Sequence, residues 1–69
     1  MAEPPNPLTS REAEVLQLLA NGYTAHQIAI RWGIAPGTVH NHLRLIHARL
    51  GVPKTEQAVI LALRHGWIA

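Results

Sequence analysis

Cysteine is absent from the 69-residue sequence. That excludes a disulfide framework and any thiolate metal site, and it fits a reducing compartment. Long hydrophobic runs are absent too. The longest, residues 58–63, is far too short to cross a bilayer. No basic segment followed by an apolar one opens the chain, so a secretory leader is not expected and a cytoplasmic location is the default. Acidic residues are scarce: Glu3, Glu12, Glu14 and Glu56 are all there are, and none falls within residues 24–54. The length itself sets a limit, because one small domain hides only a modest share of its surface and is marginally stable.

What fills the acid-free window is cationic. It holds Arg31, Arg44, Arg49 and Lys54, together with His26, His40, His42 and His47. The formal net charge of the chain is only +2, but its middle carries one sign, and that charge grows as histidines protonate. A polyanion is the natural partner of such a surface.

The same window contains the most ordered pattern in the chain. Val39, Leu43, Ile46 and Leu50 recur at i, i+4, i+7 and i+11, a single apolar stripe at helical period. Gly37, His40, Asn41, Arg44 and Ala48 fall opposite, a face of hydrogen-bonding and small residues without a carboxylate. Pro36 stands where a first helical residue would, and Gly51 where a helix would end. The spacing predicts a helix over residues 36–50, anchored behind and offering donors in front.

The remaining chain supplies a support for that helix. Residues 1–7 carry three prolines and no apolar period, which reads as a flexible tail. Thr9 and Glu12 form a capping box, and Leu8 precedes it as a hydrophobic staple. Val15, Leu16, Leu18 and Leu19 then give a buried face to a helix over 9–20, with Gly22 as its left-handed cap. Thr24 and Gln27 repeat the box for a short helix over 24–32, on which Ile28, Ala29 and Trp32 face inward. Gly33 ends it, and Ile34 plugs the turn into the next helix. Two helices joined by a short turn containing glycine make a helix-turn-helix unit. Pro53 interrupts the chain and Thr55 is placed to cap a fourth helix over 55–65. There Val59, Ala62 and Leu63 can pack on the core. Ile60 and Leu61, in line with Gln57 and Arg64, are left as a stripe that the last residues, Trp67 and Ile68, or a second copy of the chain must cover. The fold class expected is all-α, four helices, the second and third forming the helix-turn-helix.

Chemistry assigns roles on the exposed face. Arg44 can fork onto guanine O6 and N7, and Asn41 can pair bidentately with adenine, each worth about 1–3 kcal/mol of discrimination. His40 can donate to a guanine or a phosphate. Thr38, Arg49 and Lys54 read as phosphate anchors that position the helix, with Arg31 and Thr24 touching the same strand and the first backbone amides at Gly37 open to a phosphate. His42, beside the apolar stripe, reads as a packed histidine. An enzyme is not expected. His40 and His42 point different ways on a helix, and His40 and His47 lie about 10.5 Å apart along its axis. No carboxylate is near them in sequence, so neither metal nor cofactor is expected.

The residues Leu8-Thr9-x-Arg11-Glu12-x-Glu14-Val15-Leu16-x-Leu18-Leu19-Ala20-x-Gly22 resemble the opening of LuxR/GerE-type DNA-binding domains. So do Ile28-Ala29, Thr38-Val39-x-x-His42-x-x-x-Ile46-x-x-Arg49-Leu50-Gly51-Val52, and Ala62-Leu63-Arg64-x-Gly66. The resemblance covers residues 8–69. It implies a transcriptional regulator that binds double-stranded DNA, with base contacts at the positions of His40, Asn41 and Arg44 and phosphate contacts at those of Thr38, Arg49 and nearby groups. It also implies a homodimer through the fourth helix, for which Gln57, Ile60, Leu61 and Arg64 are the candidate interface. RNA polymerase is a further candidate partner. The alternative is a module of the same fold that acts on another transcription factor or on the polymerase without reading DNA. Members of the family commonly carry a regulatory domain upstream, so the sequence is either a lone effector or an excised C-terminal domain. It departs from the family pattern at Ala35, usually a capping Ser or Thr, a loss of about 0.5–2 kcal/mol. Gly37 in the first turn adds about 1 kcal/mol more, so the helix should start loosely. A Lys or Arg is common at the position of His40, and a Leu at that of Trp32.

Overall fold

The computed structural model describes residues 5–69. Four helices follow one another: α1 (Ser10–Ala20), α2 (Ala25–Trp32), α3 (Pro36–Leu50) and α4 (Thr55–Arg64). The described residues contain no strand. Of the expected N-terminal tail, residues 1–4 lie outside the described residues. Asn6 Oδ1 accepts the Leu8 amide at 2.9 Å and turns the chain toward α1.

Both capping boxes form. The Thr9 hydroxyl accepts the Glu12 amide at 3.1 Å while the Glu12 carboxylate accepts the Thr9 amide at 2.9 Å. Thr24 and Gln27 make the same pair of bonds at 3.1 and 2.9 Å. Each box satisfies two amides that a helix start leaves unpaired. The four helices also end alike. The amide five residues on reaches back to the last turn: Tyr23 to Leu18, Ile34 to Ala29, Val52 to His47 and Trp67 to Ala62, at 2.9–3.1 Å. At Gly33 the backbone turns left-handed, with φ 65°. A side chain there would be strained, and this turn sets α3 against α2.

The core draws on every element. Val15 and Leu16 come from α1, Ile28 and Ala29 from α2, Val39, Leu43 and Ile46 from α3, and Ala58 and Ala62 from α4. Leu8, before α1, and Ile68, after α4, join it. Ala29, 1% exposed, is the small residue that α2 gives to this core. Trp32 is half-buried against this core, and its outer face carries the Arg11 guanidinium 3.5 Å from the ring centroid. That cation–π contact ties the start of α1 to the end of α2.

Two expectations for α4 need correcting. Thr55 does not cap the helix; Lys54 occupies the cap position and makes no side-chain cap bond. The Thr55 hydroxyl instead meets His47 Nε2 at 2.9 Å, joining the end of α3 to the start of α4. Nor does Leu63 pack inward: it is 45% exposed. Ala58 and Ala62, one turn apart, take the buried positions because their small side chains let α4 lie close to its neighbours. Leu63 is thereby rotated outward. The C-terminal residues do not cover Ile60. Ile68 enters the core, and Ala69 is held by Gln17 through bonds of 2.7 and 2.8 Å.

Candidate nucleic-acid interface

α3 buries Val39, Leu43 and Ile46 and exposes Gly37, Thr38, His40, Asn41, Arg44, Leu45 and Ala48. All three expected base-reading residues therefore lie on the solvent side. Two of them are joined, for Arg44 Nη2 donates to Asn41 Oδ1 at 2.7 Å. The three-residue spacing brings their side chains together on the helix surface. The bond uses one of the five guanidinium donors and one of two lone pairs on the amide oxygen. Further donors of Arg44 and the amide nitrogen of Asn41 remain for a ligand.

The start of α3 is lightly built. Ala35, its cap residue, makes no side-chain bond, and Pro36 follows with no amide hydrogen. Thr38 turns its amide back to the Ala35 carbonyl at 3.0 Å. A Cβ added at Gly37 would meet nothing within 4 Å, so the backbone there is open to approach.

Three of the expected phosphate-contacting side chains flank this face in the sequence and are exposed. The Thr24 hydroxyl accepts from the Gln27 amide and keeps its own proton to donate. Arg31 lies over Tyr23, 5.3 Å from the ring centroid, with Nη1 3.4 Å from the phenolic oxygen. Lys54 is exposed where the chain enters α4.

Arg49 is exposed as well, its side chain by 41%, but it also has a partner within the fold. Its Nε lies 2.9 Å from Glu12 Oε1 and its Nη2 donates to Oε2 at 3.2 Å. Glu12 is 3% exposed, and a carboxylate taken that far out of water requires a partner charge. Burial pushes the Glu12 carboxyl up. The bond from the Thr9 amide, the hydrogen bonding and charge of Arg49, and the Thr9 hydroxyl outweigh it and hold the group below the usual value of 4.5. Sequence spacing could not reveal this pair, which joins residues far apart in the chain. It also missed Leu45, 45% exposed on the outward side of α3, although that residue falls off the buried stripe.

The histidines are dispersed. His40 is exposed on α3 and His26 on α2, His42 is half-buried, His47 is bonded to Thr55, and His65 stacks on Trp67 with ring centroids 4.6 Å apart. Among the described residues no group of three or more histidines and carboxylates could hold a metal ion. No helix among them is long and apolar enough to cross a membrane.

On α4, Gln57, Ile60 and Arg64 are exposed as expected, Ile60 by 55%. Leu61 is half-buried rather than open, because it borders the Ala58–Ala62 seam. Leu63 takes its place beside Ile60 on the outer face.

The family model for bacterial regulatory proteins of the luxR family matches residues 6–62. The probable transcriptional regulatory protein SgaR of Hyphomicrobium methylovorum is 48% identical over 59 residues, 86% of this chain and 28% of that protein. The transcriptional regulatory protein DesR of Bacillus subtilis is 40% identical over 62 residues, 90% of this chain and 31% of that protein. The chain thus spans under a third of the length of these curated relatives. A solved structure of the transcription factor GerE superposes with a TM-score of 0.86 at 37% identity, covering 94% of this chain and 97% of that one.

Proposed function

The chain belongs to the luxR family of bacterial regulatory proteins and carries its helix-turn-helix DNA-binding domain, and we propose that α3 enters the major groove and reads base edges through His40, Asn41 and Arg44. The observation that carries this reading is the exposed, hydrogen-bonded Asn41–Arg44 pair on the side of α3 opposite the core. Arg44 has the fork for guanine O6 and N7, and Asn41 the donor and acceptor for adenine N7 and N6. Because the Asn41 oxygen can accept twice, the two side chains can read neighbouring bases with their mutual bond intact. His40 donates to a base or a phosphate beside them.

Phosphate contacts come from Thr24, Arg31, Thr38, Lys54 and the bare backbone at Gly37, which fix register without reading sequence. Arg49 serves first as the partner of Glu12, and only donors left over from that pair can reach a phosphate. Two copies bind related half-sites through α4, where Ile60 meets its counterpart, flanked by Gln57, Leu61, Leu63 and Arg64. The protein regulates transcription in this reading, as the names of its relatives indicate for them.

Fluorescence anisotropy with duplex DNA of random sequence tests it. Affinity should fall as salt rises, with a logarithmic slope near 0.9 per phosphate contacted. An absence of salt-sensitive affinity for any duplex would overturn the reading and favour a module that acts on another transcription factor or on RNA polymerase.

A further inference from the structure

We propose that Leu45 is a fourth specificity-determining residue, reading the 5-methyl group of a thymine next to the bases met by Asn41 and Arg44. The proposal rests on the reading of α3 as the groove helix. Leu43 and Ile46, on either side of Leu45 and Arg44, are 8% and 0% exposed, whereas Leu45 is 45% exposed. Isolated exposed leucines are ordinary on protein surfaces. This one differs in its place: it follows Asn41 by four residues and precedes Ala48 by three, so it lies beside both on the outward side of α3.

Spacing and chemistry identify the ligand. Four residues of helix rise about 6 Å, within two base steps of about 3.4 Å each. The base that Leu45 meets is therefore within about two steps of the one read by Asn41. Among the groups that base pairs display in the major groove, donors and acceptors suit Asn41 and Arg44, and only the thymine methyl is apolar. A leucine pressed against any other base edge would cover a donor or acceptor without replacing its hydrogen bond. Contact between methyl carbons needs an approach of about 3.5–4 Å. Gly37 and Ala48, small and exposed on the same side, leave room for it.

The test uses a site selected by the 69-residue chain from a random duplex pool. Each thymine in turn is replaced by deoxyuridine, which removes only the methyl group, and affinity is measured at fixed salt. The parent protein should bind about four-fold more weakly at one position, the worth of one buried methyl. Leu45→Ala, whose folding is checked by circular dichroism, should bind the thymine and uracil forms of that position equally. It should keep the preferences that depend on Asn41 and Arg44. A selected site with no thymine within two base pairs of that read by Asn41, no uracil effect in the parent, or the same effect in Leu45→Ala would each overturn the assignment while leaving the groove reading intact. Loss of all base preference in the parent would overturn both.

Discussion

Arg49, in the last turn of α3, clasps the buried carboxylate of Glu12 in the first turn of α1, with Nε and Nη2 at 2.9 and 3.2 Å from its two oxygens. The pair joins the start of α1 to the end of α3. It makes the orientation of α3 depend on a charge that the same helix supplies.

Arg49→Ala should therefore act on stability before it acts on DNA. Leaving the Glu12 carboxylate short of a partner costs about 1–3 kcal/mol. In a domain this small each kcal/mol lowers the melting temperature by about 4–8 °C. Thermal unfolding followed by circular dichroism checks this. An unchanged melting temperature, with DNA affinity alone reduced, would mean that the arginine serves the ligand and not the fold.

The same carboxylate sets an acid limit. Its folded pKa lies below the ordinary 4.5, so its contribution is complete above the unfolded value and is lost as pH falls through the folded one. Urea midpoints should decline on acidification below that ordinary value, and Glu12→Gln should show a shallower decline. Parallel acid limbs for the two proteins would contradict the assignment.

The start of α3 should be open to improvement. Ala35→Ser restores a cap and should add about 0.5–2 kcal/mol. Gly37→Ala, with empty space around the new Cβ and no left-handed backbone to oppose it, should add about 0.4–1 kcal/mol. Hydrogen exchange of the first-turn amides should slow in both. No gain in either variant would show that this turn is already held by something other than its cap.

The outer face of α4 should mediate pairing. Ile60 and Leu63 are 55% and 45% exposed and can be covered by a second copy. Ile60→Glu should leave a folded monomer with weaker affinity for a two-half-site duplex than the parent. Sedimentation that finds the parent monomeric with and without DNA would remove this interface.

Much of this architecture is legible in the sequence because its signals are local. The capping boxes at Thr9 and Thr24, the glycines after the helices and the apolar stripe of α3 each act within a turn or two, and all four helices form where that local grammar puts them. Helix bounds of 9–20, 24–32 and 55–65 differ from the observed ones only by counting capping residues as helix. What was hidden is relational. The rotation of α4 is decided by how closely Ala58 and Ala62 let it approach its neighbours, which no property of α4 alone reveals. The Glu12–Arg49 pair and the Arg11–Trp32 stack join elements distant in the chain. Of the candidate site, the outward face of α3 was legible from helical period. The bond between Asn41 and Arg44 was allowed by their spacing but not required by it.

The most direct test of the central claim is selection of bound sites from a random duplex pool by the parent, Asn41→Ala and Arg44→Ala. The parent should enrich a defined sequence. Each variant should keep its affinity for random duplex and lose about 1–3 kcal/mol of discrimination at its own base pair. Equal losses on selected and random DNA, or no enrichment by the parent, would contradict reading by this face of α3.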